Sequence, residues 1–316
     1  MRVLFWGTPE FATPPLRALL GEGFDVVGVV TQPDRAVGRS RSTLEPSPVK
    51  RTALAESIPV LQPEKPRGLE FEAALRALEP DLSVVVAYGH ILPRTVIDLP
   101  RRGTLNIHAS LLPSLRGAAP IQGAILQGLE ETGVTIMRMV PALDAGPIMH
   151  QVTTPIAGDE TAGELSLRLS ELGALALVEA LSLVALGQAE EAPQDEALAT
   201  YAPKIEREMA RIGWARPADE VSRLVRAYDP RPGAFTTLRG NEVKLYGARL
   251  APGQRDAAPG EVLGIDGAGM TIACGAGALR VLAVQPAGKR RLTPGEWMRG
   301  RGIAPGDRFG ETPPER

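Results

Sequence analysis

Hydrophobic positions in the first two hundred residues follow two rhythms. Short, nearly continuous β-branched or aliphatic runs at residues 2–6, 25–31, 81–87, 104–107 and 134–140 predict strands covered on both faces. Between them, residues 14–20, 48–57 and 69–78 carry apolar positions at helical spacing. Alternating strands and helices imply a parallel, doubly wound sheet with right-handed crossovers, a Rossmann-like α/β class. A long segment at 162–186, with Leu and Ala at helical spacing, reads as a packing helix that closes this region.

The rhythm then breaks. Residues 187–203, GQAEEAPQDEALATYAP, are polar, acidic and interrupted by proline, as in a linker. Beyond them a helix is predicted over 217–228. Short strands follow at 234–238, 243–250, 260–264, 270–274 and 279–285, separated by turns rich in Gly, Asn and Asp. About five such strands predict a small β-barrel of OB-like type. The expected organisation is an α/β domain at 1–187, a linker at 188–204 and a C-terminal barrel at 205–316.

Charge sharpens this division. The net charge of −2 combines sixteen Lys and Arg against twenty-four Asp and Glu in residues 1–203 with nineteen against thirteen in residues 204–316. An acidic front and a basic back fit a polyanion partner for the back half, although charge alone weighs a solvated basic surface equally. The single cysteine, Cys274, excludes an internal disulfide, and with only His90, His108 and His150 a structural zinc site is not expected. The opening MRVLFWGTPE enters a strand without a secretory pattern, and no apolar run approaches the roughly 18 residues of a membrane span. The expectation is a cytoplasmic protein with no membrane association, acting as a monomer.

Candidate chemistry concentrates in residues 104–122, TLNIHASLLPSLRGAAPIQ. Asn106 and His108 are two apart near the end of a strand, so they share a face beside the crevice where open α/β sheets bind ligands. Asp144, in a Leu-Asp-Ala-Gly turn after the next strand, reaches His108 if the two strands are neighbours. Acyl transfer to an amine needs a base for the amine proton and a donor for the developing oxyanion. Histidine suits the first task near neutral pH and an amide NH₂ the second. A carboxylate can fix the imidazole tautomer, support its cation or help relay the proton. Each residue alone is more often structural. Gly7 lies in a Gly-Thr-Pro turn and not in a G-x-G-x-x-G loop, which argues against a nicotinamide cofactor.

The Asn-x-His motif followed by Ser110-Leu111-Leu112-Pro113, with the later Leu-Asp-x-Gly, resembles the folate-dependent formyltransferase superfamily. The Arg-Gly-Ala-Ala-Pro-Ile block from Arg116 resembles its methionyl-tRNA branch. Further blocks from Phe5, Thr31, Pro46, Val85, Glu131 and Gln285 carry the resemblance in order along nearly the whole chain. The resemblance implies Asn106, His108 and Asp144 as the catalytic trio and 10-formyltetrahydrofolate as the formyl donor. It places that donor against Ser110, Leu111, Leu112 and Pro113, and against Val86, Tyr88, Gly89 and Ile91. No metal is expected.

The resemblance also marks residues 32–47 as a loop that grips the acceptor end of initiator methionyl-tRNA. This stretch is long for an α/β connection and carries Arg35, Arg39 and Arg41, with Lys50 and Arg51 just after. Arg39 aligns with the family's key loop arginine. Lys289 and Arg290 in the back half are further phosphate-contact candidates. Four departures from the family pattern stand out: Trp6 replaces a small residue, Ser114-Leu115 replaces an Arg-aromatic pair, residues 36–41 are less basic than usual, and Gly213 replaces an acid. The nearest rival function is formyl transfer to a small amine, such as glycinamide ribonucleotide or a nucleotide-linked amino sugar. Hydrolysis of the formylfolate and a tRNA-binding protein with a degenerate catalytic half are more distant alternatives.

Overall fold

A computed structural model describes residues 1–37, 43–252 and 257–310. They form two units. The first comprises Met1–Pro120, Glu131–Thr154 and Ser166–Ala202; the second comprises Ile121–Glu130, Pro155–Leu165 and Pro203–Arg316.

The first unit is organised by strands β1 (Arg2–Gly7), β2 (Asp25–Val30), β3 (Arg35–Val37), β4 (Thr43–Glu45), β5 (Val60–Leu61), β6 (Leu82–Val86), β7 (Thr104–His108), β8 (Glu131–Arg138) and β9 (Ile148–Pro155). The helices of residues 1–202 are α1 (Thr13–Gly21), α2 (Pro48–Ala55), α3 (Leu69–Ala77), α4 (Arg94–Ile97), α5 (Pro120–Gln127) and α6 (Ala162–Leu186); α5 beyond Pro120 and α6 as far as Leu165 fall in the second unit. Seven strands make one sheet in the order β5-β2-β1-β6-β7-β8-β9. The pairs from β5 to β7 are parallel, as the alternating pattern predicts. Strand β8 runs antiparallel to β7, so the wholly parallel sheet expected from the sequence is corrected to a mixed one. The connection between them, residues 109–130, is long and carries α5, so its length alone does not distinguish a parallel from an antiparallel neighbour.

The core explains the strand signal. All five residues of β6 are buried, and Val3, Leu4, Phe5 and Trp6 of β1 are at most 1% exposed. Trp6, unusual by family pattern, fills this core. Its Nε1 donates to Ser83 Oγ at 3.2 Å, and its ring stands edge-on to Phe71 and Tyr88. Helix α6 matches its predicted bounds and is about 37 Å long at 1.5 Å per residue. By length and composition it is apolar enough to cross a bilayer, which corrects the expectation that no stretch qualifies. Half of its most apolar window is buried, with Leu169, Leu177 and Leu181 fully so, as in a packing helix. Gly173 lets it approach the sheet closely: a Cβ there would lie 3.1 Å from Ile107 on β7.

In the second unit, α7 (Ala218–Ala227) precedes β10 (Ala234–Leu238), β11 (Asn241–Ala251), β12 (Val262–Asp266), β13 (Gly269–Ala273) and β14 (Ala278–Pro286), with α8 (Pro294–Arg299) last. The strands form an antiparallel sheet ordered β10-β11-β14-β13-β12. Gly247, at φ 65°, is left out of the β11–β14 pairs, yet the register is the same on either side of it, from Val243 opposite Pro286 to Ala251 opposite Ala278. The chain end then spans the outer strands. Val262 N donates to Asp307 O at 2.8 Å, Phe309 N to Gly260 O at 2.9 Å, and Gly310 N to Thr237 O at 2.8 Å. Trp214 stacks on Phe309 and donates from Nε1 to Thr236 Oγ1, anchoring that closure in the core.

Candidate active site

The register of β7 sets the site. Asn106 lies opposite Met137 and His108 opposite Thr135 on β8, so their side chains share one face. Because Arg138 pairs with Leu105, β8 leaves the sheet beside the start of β7. The following loop folds back and brings Asp144 Oδ2 to 3.7 Å from His108 Nδ1. The two groups are therefore brought together, though beyond direct hydrogen-bond range. Asn106 is half-buried, and among the described residues its carboxamide has no side-chain hydrogen-bond partner.

His108 is only 6% exposed. Its Nε2 lies 2.9 Å from the carbonyl of Leu115. A carbonyl only accepts, so Nε2 carries the hydrogen and the neutral ring keeps its lone pair on Nδ1. Leu115 reaches this position in a left-handed conformation, φ 60°. The tautomer is thus set by a main-chain carbonyl, which no sequence pattern announces.

The loop after β7 is fixed from beneath. Thr135 Oγ1 donates to Ser110 O at 2.7 Å and accepts from Leu112 N at 3.1 Å. Gln151 Nε2 donates to Leu112 O and to Thr135 Oγ1, both at 2.9 Å. Ser110 Oγ donates to Ser114 O at 2.6 Å. Ser110 and Leu112 are accordingly buried, while Leu111 and Pro113 remain partly exposed. At the end of β6, Val86 and Tyr88 are buried and Gly89 and Ile91 are exposed. Tyr88 O accepts from Thr8 Oγ1 at 3.1 Å and Gln32 Nε2 at 2.9 Å, and burial pushes the Tyr88 hydroxyl up to about 12. Ala87 and Gly89 both have positive φ, and a Cβ at Gly89 would meet Gln32 Nε2 at 2.6 Å.

Residues expected to be a spacer take part as well. Arg116, 1% exposed, donates to Gln194 Oε1 and makes a two-point contact with Glu196 at 2.8 and 2.9 Å. Hydrogen bonding to Glu196 is the main reason its guanidinium is held above its ordinary value. Leu115 N donates to Thr200 Oγ1 at 2.9 Å, and Arg116 exchanges main-chain bonds with Thr200 and Ala202. Sequence reasoning missed Gln194, Glu196 and Thr200. Their partners lie 78–85 residues away, and an acidic, proline-broken composition conceals them.

The predicted phosphate contacts are dispersed. Residues 35–37 and 43–45 pair as the β3–β4 hairpin, correcting the irregular loop expected there. Exposed Arg35 donates to Gln32 Oε1, whereas Arg39 and Arg41 lie outside the described residues. Lys50 is engaged with Asp34 at 2.7 Å, and this bond, followed by one from Gln62, holds the Asp34 carboxyl below its ordinary value. Lys289 is exposed, and Arg290 meets Glu296 Oε1 at 3.0 Å. An open groove of about 690 Å³ in the second unit, lined in part by Arg223, Arg226 and Arg249, contains none of the site residues named from sequence. Among the described residues no group of three or more His, Cys, Asp or Glu could hold a metal ion.

Comparison with known proteins agrees with this architecture. The domain family described as formyl transferase matches residues 1–181, and the formyl transferase C-terminal domain matches residues 204–302. A methionyl-tRNA formyltransferase from Pseudomonas fluorescens (strain SBW25) is 52% identical over 290 residues, covering 92% of this chain and 90% of that protein. Among solved structures, HypX from Aquifex aeolicus in complex with tetrahydrofolic acid superposes with a TM-score of 0.66 at 22% identity, over 94% of this chain. The chain spans about half of that longer protein, 47%. WlaRD, a sugar 3N-formyl transferase in the presence of dTDP and 5-N-formyl-THF, gives a TM-score of 0.65 at 18% identity, over 92% of this chain and 99% of its own. These two likenesses speak to the fold. The matches to both domain families, over residues 1–181 and 204–302, thus define a formyl transferase. Within that class, the chain belongs to the methionyl-tRNA formyltransferase family.

Proposed function

We propose that this chain transfers the formyl group of 10-formyltetrahydrofolate to the amino group of initiator methionyl-tRNA, with His108 as base, Asn106 as oxyanion donor and Asp144 as supporting carboxylate. The observation that carries the assignment is the imidazole held between Leu115 O at 2.9 Å and Asp144 at 3.7 Å. With Nε2–H committed to Leu115, the ring accepts the amine proton at Nδ1. The cation that results is flanked by a carbonyl on one side and a carboxylate on the other, so Asp144 supports charge while Leu115 fixes the tautomer. The carboxamide of Asn106, on the same strand face, donates to the oxygen on which charge develops.

When bound, the formylfolate supplies a carbonyl carbon attached to a departing nitrogen. The chain offers it a surface of main-chain edges and apolar side chains. Ile91, just after the turn at Ala87 and Gly89, is 87% exposed, and Leu111 and Pro113 are partly exposed. An exposed apolar side chain next to pinned peptide groups suits a flat heteroaromatic ring. The tRNA contacts are assigned to Arg35, Arg39 and Arg41 around the β3–β4 hairpin and to Lys289 and Arg290. The enzyme acts as a cytoplasmic monomer.

The test is to incubate the protein with 10-formyltetrahydrofolate and charged initiator tRNA and to follow formylmethionine. Formylated methionyl-tRNA is expected. Turnover only with glycinamide ribonucleotide or a nucleotide-linked amino sugar would replace this assignment with the small-amine alternative.

A further inference from the structure

We propose that Gln194 is a positioning residue for formyl transfer, acting through Asp144; the inference rests on the function proposed above. Asp144 occupies the left-handed region at φ 48°, which a non-glycine residue keeps only when its surroundings hold it there. Three bonds do so. Gly117 N donates to Asp144 Oδ2 at 2.8 Å, and Gln194 Nε2 donates to both Asp144 O at 2.8 Å and Gly146 O at 2.7 Å.

The other end of the Gln194 amide is equally committed. Its Oε1 accepts from Arg116 Nε at 3.1 Å and Nη2 at 2.8 Å. Two carbonyls on one side and a guanidinium on the other fix which way the amide faces, since only its NH₂ can donate and only its oxygen can accept. Arg116 stands between Leu115, whose carbonyl sets the His108 tautomer, and Gly117, whose N–H holds the Asp144 carboxylate. One neutral side chain therefore couples the loop that orients the imidazole to the loop that carries the carboxylate. Displacing such a group by about 1 Å can cost on the order of 10²-fold in rate.

Gln194→Glu separates this role from simple anchoring. The introduced carboxylate keeps its attraction for Arg116 but opposes the carbonyls of Asp144 and Gly146. A segment that served only to dock on Arg116 would tolerate it. In the full chain, kcat is expected to fall about 10²-fold, with KM for both substrates within about threefold of wild type and little change in the unfolding midpoint. The deficit should shrink at low pH, where the introduced carboxyl becomes protonated and can donate again.

Gln194→Met keeps the bulk, removes both sets of bonds and should show the same fall without recovery at low pH; it also serves if the first variant fails to fold. Hydrogen exchange at Gly117 N–H, measured on folded protein without substrates, should accelerate in both variants. Wild-type kcat for both folded variants, or unchanged Gly117 exchange, would overturn the positioning role. Failure of wild type to formylate tRNA would instead overturn the function on which it rests, leaving the exchange result to judge the clamp alone.

Discussion

The two units handle their charged groups differently. In the first, the groups at the proposed reaction centre are few, enclosed and met by main chain: His108 by Leu115 O and the Asp144 carboxylate by Gly117 N. In the second, the charges are numerous, exposed and met by opposite charge. Arg239 pairs with Asp307 at 2.6 Å, Arg280 with Asp266 at 3.3 Å and Arg290 with Glu296 at 3.0 Å. Arg291 lies over the Tyr246 ring at 3.5 Å and beside Asp229. Main-chain partners fix a geometry because their side of the bond cannot rotate away. Exposed ion pairs are worth about 0–1 kcal/mol each, so a polyanion can displace the carboxylate and compete for the arginine. Single changes should therefore be large in the first region and graded in the second.

The largest effect is expected from His108→Ala. Loss of a general base lowers kcat by about 10²–10⁴-fold. Affinity for tRNA should stay near wild type, because the ring acts on a proton and not on phosphates. Activity and gel-shift binding measured together check this, and a matching loss of affinity would erase the contrast between the two regions.

The sequence made the front of this contrast far more legible than its supports. Strand β7 announces itself through a β-branched and aliphatic run, and i,i+2 spacing puts Asn106 and His108 on one face without any coordinates. The bounds of α6 and β10 were readable from periodicity alone. What stayed hidden depends on contacts distant in sequence or on main-chain atoms. The direction of β8 was not written in its apolar run, since strands of either sense read alike when covered on both faces. Nor could any residue type reveal that Leu115 offers its carbonyl, or that Gln194 lies against Asp144. The basic character of the back half was visible as a count, but the pairing of those cations was not.

An intermediate effect is expected at Lys289 and Arg290. If Lys289 meets a phosphate, Lys289→Ala lowers the slope of log affinity against log salt by about 0.9. Arg290→Ala should lower it by less, because Glu296 already shares that guanidinium. Neither change should alter kcat at saturating tRNA. Salt titrations of tRNA binding decide the order, and a larger effect at Arg290 would mean that its pairing with Glu296 does not persist in the complex.

Glu296→Gln should give the smallest effect and sharpens the comparison most. The Glu296 carboxylate completes the capping box of α8 by accepting from Thr293 N, and its other oxygen holds Arg290. Those bonds, Thr293 N first and Arg290 next, keep the carboxyl below its ordinary value. Their stabilisation is therefore complete above the ordinary glutamate range and is lost as pH falls through the lower folded-state value. A glutamine can still accept at the cap but carries no charge. Its unfolding midpoint should lie slightly below wild type at neutral pH, and the gap should close on acidification. Freed from its carboxylate, Arg290 should at the same time steepen the salt dependence of tRNA binding, by less than about 0.9 in slope. A gap that widened at low pH would contradict the capping role, and an unchanged slope would mean that Arg290 is no more available to phosphate without its partner than with it.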